Sequence, residues 1–553
     1  MNYKHSFIDW MLKLWGSKMF LLLFVFNLLS NSTVIIWQNN IWAILQIVCI
    51  SAISATVERV LCGFITNKKI QQITLWLIIA AHLILAIIDA FLIMNFHLIF
   101  GQDIVDILAE TNPEEAKSFL STYLSFGTIF AIIVAILTII TITRWASKKL
   151  ARNLTLTILL FFLSIAGLGI YLFTVYSYAM FRNGMSVPQM HAFTRVGYSF
   201  KVLSDRMQQI ENLRNVNRRV TAKQTLLESP TVVVIVGESF SVYHSSLYGY
   251  DKMTNPLLSK RQKDSSLVVF DDVVTISDHT EGVMCSVFSL KNGNTPFWKA
   301  ALFPSCFKAA GYHTAMIDNQ YFEGKGITFL ADKELSTLMF EYRNQHRLGH
   351  DYNLLSNITV MNDPQLVILH LMGQHYTYSD RYPASFRHFS ANDYNKSLPE
   401  NERELIAHYD NATLYNDFVV EKIIQKFENK NCIIVYFSDH GEEVFEIDNY
   451  IGHGNAAHRI DMRYQIRVPL MVWMSSQYQT KMPDVAKRIR QSSQKPIFTD
   501  DIAHFLLEIA GIECANFCAE KSFISNYYHP KRKVLYSIDY DKVTFSKHYK
   551  PRY

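Results

Sequence analysis

TVVVIVGESFS, Thr231 to Ser241, decides the fold. Its first six residues are all β-branched, with no polar residue alternating between them, and the run then breaks at Gly237 and Glu238. A continuous apolar strand of this kind is buried on both of its faces. Further runs of the same texture follow at intervals filled by longer helical patterns: SLVVFDDVV, HTAMID, QLVILHL, CIIVYFS and VPLMVWM. Strands spaced by helices predict an α/β domain built on a mostly parallel sheet with helices on both faces, over residues 229–553. Ligands of such sheets collect beyond the carboxyl ends of the strands.

The residues that follow the strands are rich in metal ligands. Glu238 comes after the first run, and Ser277, Asp278, His279 and Thr280 after the second. His370 and then His375 follow QLVILHL, while Asp439 and His440 in SDHGEE, with His453 just beyond, follow CIIVYFS. One acid or histidine in a loop needs no explanation, but sites converging on one sheet edge do. Glu238, Asp439 and His440 supply three ligands of the kind a divalent zinc-type ion takes.

A hydroxyl is the natural fourth group, and ISDHTEGVMCSVFS, Ile276 to Ser289, contains the best-placed one. Thr280 follows a strand and starts a helical pattern, so it is expected at a helix N-terminus. Free backbone N–H groups and the helix dipole favour a bound phosphate there, and a nearby metal would make the hydroxyl a nucleophile. The plainer alternative, Thr280 as a helix-capping residue, holds in isolation and loses ground once the neighbouring ligands are counted.

Half of the chain's 553 residues are hydrophobic, more than an α/β domain absorbs. The excess lies in the first third, where five stretches read as membrane spans: Lys18–Trp37, Ile41–Val57, Ile73–Leu98, Thr122–Thr143 and Leu154–Ala179. Each is close to the roughly 20 residues that cross a bilayer as a helix. Lys4, Lys13 and Lys18, then Arg59, Lys68 and Lys69, then Arg144, Lys148, Lys149 and Arg152 all fall on one side, which the positive-inside rule makes the cytoplasm. Five spans therefore place the α/β domain outside, with residues 1–180 as the transmembrane domain and 181–228 as linker helices on the membrane surface. The first span has no small-residue cleavage site and reads as an anchor. Asp89 is a rare intramembrane acid, expected to hydrogen-bond a neighbouring helix. The exported loop GQDIVDILAETNPEEAKSFLS reads as a capped connector helix.

Of seven cysteines, Cys285, Cys306, Cys432, Cys514 and Cys518 fall in the exported part, where bridges are permitted. Cys514 with Cys518 is the expected pair, the rest being open. No CxxC marks a zinc ribbon, and the net charge of +5 is nowhere gathered into a stripe for nucleic acid.

Taken together the pieces resemble the bacterial phosphoethanolamine transferases, inner-membrane enzymes with five spans and a zinc domain of the alkaline phosphatase and sulfatase superfold. The resemblance rests on ETNPEEA, GES followed by SLYGYDKMTNP, IDNQ with a later KG, LHLMGQHYTYSDRYP, HYDNATLYND, SDHGEE with GHG, and YQIRVPLMVWMSS, in family order over most of the chain. It implies a zinc site of Glu238, Thr280, Asp439 and His440, with Thr280 as catalytic nucleophile. It further implies substrate-binding roles for His375, His453, Lys325, Thr111 and Glu115. The implied reaction moves phosphoethanolamine from phosphatidylethanolamine to a lipopolysaccharide core or lipid A acceptor through a covalent phosphothreonine, in a periplasmic domain of a monomeric protein among membrane lipids.

The chain departs from that pattern at Ser277-Asp278-His279-Thr280, where lipid A-modifying relatives carry Cys-Gly-Thr-x-Thr, and Cys285 is one residue displaced from the family cysteine. GES with SLYGY leans toward members that modify the inner core. A lipoteichoic-acid-type phosphoglycerol transferase is the rival within the superfold, and ETNPEEA speaks against it. A sulfatase lacks support because no Cys/Ser-x-Pro-x-Arg occurs. A catalytically silent membrane scaffold would be expected to have lost a ligand, and all four candidates are present.

Overall fold

The computed structural model describes residues 2–38, 41–96, 99–101, 104–105, 126–180, 192–293, 295–320, 328–454, 456, 461–535 and 538–545. The chain divides into two compact units, Met1–Met207 and Gln208–Tyr553.

In the first unit, α1 (Asn2–Leu14) is followed by α2 (Lys18–Gln38), α3 (Ile41–Gly63), α4 (Lys68–Phe96), α5 (Phe126–Leu150) and α6 (Leu154–Met180). The helix α7 (Ala192–Asn217) then begins. The described parts of the five apolar stretches lie on α2 to α6, and these residues yield fewer spans than five. Two helices, over Ile44–Gly63 and Lys68–Ile93, are long and apolar enough to cross a membrane. The number rises to four if Phe7–Leu14 with Lys18–Thr33, bent by 51°, and Ile136–Leu150 with Leu154–Gly169, bent by 111°, each form one span.

Polar side chains inside this unit bond to one another, as groups cut off from water must. Asn27 Nδ2 donates to Glu58 Oε2 at 2.7 Å, and His82 bridges Glu58 at 3.0 Å and Ser30 at 2.8 Å. Asp89 finds helix partners as expected, and more. Thr33 Oγ1 donates to its Oδ2 at 3.0 Å and Arg195 Nη2 at 2.5 Å, while Phe100 N–H donates to its Oδ1 at 2.7 Å. Arg195 Nε in turn donates to the Phe100 carbonyl at 2.8 Å. Both backbone groups of Phe100 are thus gripped by a fully buried ion pair, at the point where the chain leaves α4.

The second unit is organised by a seven-stranded sheet of β1 (Thr231–Gly237), β2 (Leu267–Phe270), β3 (His313–Asp318), β4 (Tyr342–Arg343), β5 (Gln365–His370), β6 (Cys432–Ser438) and β7 (Leu470–Met474), in the order β2-β7-β6-β1-β5-β3-β4. The strands β6, β1, β5, β3 and β4 are mutually parallel, and β7 runs antiparallel between β6 and β2. The sheet is therefore mixed, with parallel pairing through the part that carries the site. SLVVFDDVV proves to be two strands. Asp272–Val274 leaves the main sheet and pairs with Pro496–Phe498.

Every residue of β1 is buried, and its side chains alternate between two cores. Val232, Val234 and Val236 join one core with α8 (Thr280–Val287), α9 (Phe303–Ala309) and α11 (Ile502–Ala510). Val233 and Ile235 join the other with α10 (Glu400–Phe427). Helices on both faces explain why the strand sequences carry no polar alternation.

The buried polar face of α10, in the stretch HYDNATLYND, ties down the loops around the sheet edge. Tyr409 Oη donates to Ser239 O at 2.5 Å and accepts from Ser241 N–H at 2.8 Å. Asp410 receives His244 at 2.6 Å, Tyr250 at 2.8 Å and Tyr394 at 2.6 Å. Asp417 accepts from the N–H groups of Leu257 and Leu258 at 2.9 and 3.0 Å. The stretch GESFSVYHSSLYGYDKMTNP is thereby held along its length by one helix.

Two outcomes follow. Asp89→Asn or Arg195→Met strands one buried charge and should cost about 3–5 kcal/mol, read as a fall in thermal midpoint in detergent, with the double variant recovering part of the loss. Burial disfavours protonated His244, but Asp410 and Glu446 outweigh it and raise its pKa from 6.5 to about 9. Its stabilising charge is fully present below pH 6.5 and is lost as pH rises through about 9. Wild-type thermal stability should therefore fall more steeply over that interval than that of His244→Gln.

Candidate active site

Adjacent parallel strands β1 and β6 end side by side, and their turns carry Glu238 on one and Asp439 with His440 on the other. The turns are stitched together: Asp439 N–H donates to Gly237 O at 3.1 Å, and Ser239 N–H donates to Asp439 Oδ1 at 3.1 Å. Ser239 adopts φ 55, the left-handed conformation that a non-glycine residue takes up only under constraint. A third contact comes from the turn after β5. A Cβ on Gly373, at φ +46, would lie 2.8 Å from the Glu238 carbonyl oxygen and 2.9 Å from its nitrogen. Only glycine lets that loop lie against the Glu238 backbone.

Glu238, Asp439 and His440 are all buried. His440 Nδ1 donates to the Gly441 carbonyl at 2.9 Å, which leaves Nε2 with its lone pair directed elsewhere. Nε2 lies 3.4 Å from Glu238 Oε1, 3.4 Å from Asp439 Oδ2 and 3.5 Å from Thr280 Oγ1. Thr280 Oγ1 is 3.3 Å from Glu238 Oε2. Asp439 Oδ2 is buried without a hydrogen-bond partner. These separations are long for hydrogen bonds but fit a tetrahedral ion, whose ligands at about 2.0–2.1 Å stand roughly 3.3–3.4 Å apart. The donor set of two carboxylates, an imidazole and a hydroxyl suits zinc on the same grounds.

Electrostatics point the same way. Burial and the facing Glu238 carboxylate push Asp439 well above the usual carboxylate range. Burial acts against ionised Glu238 too, but His440, the Gln320 amide, His375 and the Ser239 hydroxyl outweigh it and hold Glu238 below that range. Two buried carboxylates at one point demand a cation or a shared proton.

Thr280 is the first residue of α8, and the capping position belongs to His279, whose side chain makes no capping bond. Thr280 is therefore not serving as the cap, and its hydroxyl is directed at Glu238. His279 is exposed and pairs with Asp278 at 2.9 Å, while Asp278 Oδ2 accepts Ala456 N–H at 2.8 Å. Burial opposes ionisation of Asp278, but His279 and Ala456 prevail and keep its pKa low.

A second potential ligand group adjoins the first: His440, Glu442 and His453. His453 Nδ1 pairs with Glu442 Oε2 at 2.6 Å, Tyr378 Oη donates to Glu442 Oε1 at 2.5 Å, and the His440 and His453 rings stand 4.0 Å apart. His375 sits exposed on the loop after Gly373, close enough to Glu238 to influence its charge. Lys325, Thr111 and Glu115 lie outside the described residues.

Two members of the site escaped the sequence reading. Gln320 Nε2 donates to Glu238 Oε2 at 2.7 Å and to the Leu371 carbonyl at 3.1 Å. Its signal was its place just after β3, in IDNQ. Glu442 stood in SDHGEE without a role until the fold brought His453 to it.

Comparison with known proteins agrees with this layout. The sulfatase family model matches residues 230–512, and the model described as phosphoethanolamine transferase EptA/EptB matches residues 59–191. Phosphoethanolamine transferase EptC of Escherichia coli K12 is 27% identical over 489 residues, covering 81% of this chain and 82% of that protein. Phosphoethanolamine transferase CptA of Salmonella typhimurium LT2 is 25% identical over 499 residues, 82% of this chain and 84% of its own. The periplasmic domain of E. coli EptC, crystallised with zinc, superposes with a TM-score of 0.54 at 26% identity over 60% of this chain and 98% of that domain. The integral membrane lipooligosaccharide phosphoethanolamine transferase A of Neisseria meningitidis shares the fold over 92% of this chain and 97% of its own, with a TM-score of 0.54 at 18% identity. The mixed sheet matched by the sulfatase family model, preceded by residues that match the phosphoethanolamine transferase EptA/EptB model, places this chain in the sulfatase family, among its phosphoethanolamine transferases.

Proposed function

We propose that this chain is a periplasmic-facing inner-membrane enzyme that moves phosphoethanolamine from phosphatidylethanolamine to a lipopolysaccharide core or lipid A acceptor, with Thr280 as the nucleophile. The observation that carries the reading is the Thr280 hydroxyl at the head of α8, 3.3 Å from Glu238 and 3.5 Å from His440. Five spans and a surface linker over 181–228 belong to the same reading, as does a monomeric state.

A zinc ion held by Glu238, Asp439, His440 and Thr280 would supply Lewis-acid polarisation of the hydroxyl and charge neutralisation at the phosphoryl group. The chain's own residues do the rest. Gln320 and Ser239 fix both oxygens of Glu238, so that the acceptor nearest the Thr280 hydroxyl is held in place. Thr280 gives up its hydroxyl proton as Oγ attacks phosphorus, the P–O bond to diacylglycerol breaks with its oxygen taking up a proton, and phosphoethanolamine stays on the threonine. The acceptor's hydroxyl or phosphate oxygen then attacks that phosphorus and frees Thr280. The N-terminus of α8 faces the negative charge that develops. His453, held by Glu442, and His375 on the loop beyond Gly373 take up the phosphoryl oxygens, with Lys325, and Thr111 with Glu115 receives the donor headgroup. Both substrates are lipids, which gives the membrane domain its purpose.

Mass spectrometry of envelope lipids should show a phosphoethanolamine increment with the wild type and none with Thr280→Ala, while Thr280→Ser keeps a reduced increment. Identical spectra for wild type and Thr280→Ala would sink the proposal. Purified protein should contain zinc by elemental analysis. Chelation should abolish transfer and added zinc restore it, and Asp439→Asn should lower zinc content. Glu442→Gln should cost on the order of 10–100-fold in turnover or metal affinity, as loss of an orienting partner does, and Tyr378→Phe less.

A further inference from the structure

Cys306 lies in α9, fully buried in the core on the α8 side of the sheet. Cys514 ends the short strand Ile512–Cys514, which pairs antiparallel with Ala222–Gln224 and is half-buried against the same core. The helix packs on both of these short strands, which brings the Cys306 and Cys514 thiols near enough for each to perturb the other's ionisation. The strand is firmly seated: Gln224 Nε2 donates to Ala510 O at 2.9 Å and Thr225 Oγ1 to Gly511 O at 2.7 Å. The expected partner, Cys518, is engaged differently, its N–H donating to His504 Nδ1 at 3.2 Å. The thiol that burial and packing bring to Cys514 is that of Cys306.

We propose that Cys306 and Cys514 form a disulfide in the mature protein, a covalent tie between α9 and the strand pair that closes the catalytic domain. The inference rests on the periplasmic placement proposed above, since an oxidising compartment is where such a bond persists. The two thiols are unequal partners suited to exchange. The nearby Cys306 thiol, helped by the backbone N–H groups of Asn516 and Phe517, holds the Cys514 thiol down at about 7 against the effect of burial. Cys306 is pushed far up by the nearby Cys514 and by burial. The partly exposed Cys514 thiolate attacks one sulfur of a disulfide-bonded oxidant, protein or small molecule, and expels one thiolate. Cys306 gives up its proton, its sulfur attacks Cys514 of the mixed disulfide, and the second thiolate leaves. Two protein thiols and one oxidant disulfide thus become one protein disulfide and two oxidant thiols.

The bond would act behind the nucleophile. The end of α8 is stitched to the start of α9 by Phe303 N–H to Phe288 O at 2.8 Å and Leu290 N–H to Ala301 O at 2.8 Å, with a bridge between Ser289 and Leu302. Fixing α9 therefore fixes the far end of the helix that begins at Thr280.

Full-length protein extracted from membranes under alkylating, non-reducing conditions should yield one peptide pair joined through Cys306 and Cys514. Reduction should lower the thermal midpoint of the wild type by about 5 °C and leave Cys306→Ala/Cys514→Ala unchanged. Direct alkylation of both thiols, or a Cys514–Cys518 link, would overturn the inference. A separate control reports on placement. Leu227 is fully exposed, so Leu227→Cys in a cysteine-free chain should react with a membrane-impermeant maleimide in intact spheroplasts. Labelling there together with free Cys306 and Cys514 rejects the disulfide alone, whereas no labelling rejects the periplasmic placement itself.

Discussion

Two carboxylates, Glu238 and Asp439, are buried against each other at the edge of an apolar sheet, and the rest of the site is built around that conflict. Neither can reach water, and like charges in a poorly polarisable interior repel strongly. The surroundings satisfy them unequally. Glu238 receives the Ser239 hydroxyl and the Gln320 amide, while Asp439 receives two backbone N–H groups on one oxygen and nothing on the other. What is missing is positive charge at one point, which is the condition for binding a divalent ion tightly. An unpaired buried carboxylate oxygen such as Asp439 Oδ2 is costly, and a bound cation is one arrangement that would offset that cost.

That arrangement requires the strand ends to be held rigidly, and α10 provides the rigidity. A helix that buries Tyr409, Asp410, Asn411 and Asp417 would be unstable alone, since buried polar groups are costly unless paired. Each of these groups is paired with a loop. Asn411, for example, accepts from the N–H groups of both His388 and Phe389 at 2.8 Å. The polarity of HYDNATLYND is therefore spent on loop geometry, and the ordinary apolar stripe of the same helix does the packing.

Much of this was legible in the sequence, and what was not has physical causes. The strands announced themselves because burial on both faces removes alternation, and their ends pointed to Glu238, Asp439, His440 and Thr280 because parallel strands present their carboxyl ends together. Tyr342–Arg343 was missed because a two-residue edge strand has no pattern. The split in SLVVFDDVV was hidden because both halves are buried, and only Asp271 between them is exposed. Gln320 was missed because an amide carries no ligand signature, although a buried carboxylate needs a donor. Closeness in sequence favours Cys518 as the partner of Cys514, whereas packing favours Cys306. The chain turns after Cys514 so that its own N–H groups fold back on the sulfur, and the thiol partner arrives from α9 instead.

Gly373 has a bearing on how such an enzyme can be altered. The loop it begins is locked at one end, because any side chain at this position would collide with the backbone of Glu238. Two residues later His375, Tyr376 and Thr377 are all exposed. A post fixed against the Glu238 backbone, with an exposed Tyr376 farther along the loop, separates what must stay constant from what can drift. Libraries seeking a new acceptor should vary the exposed Tyr376 and leave Gly373 and His375 alone.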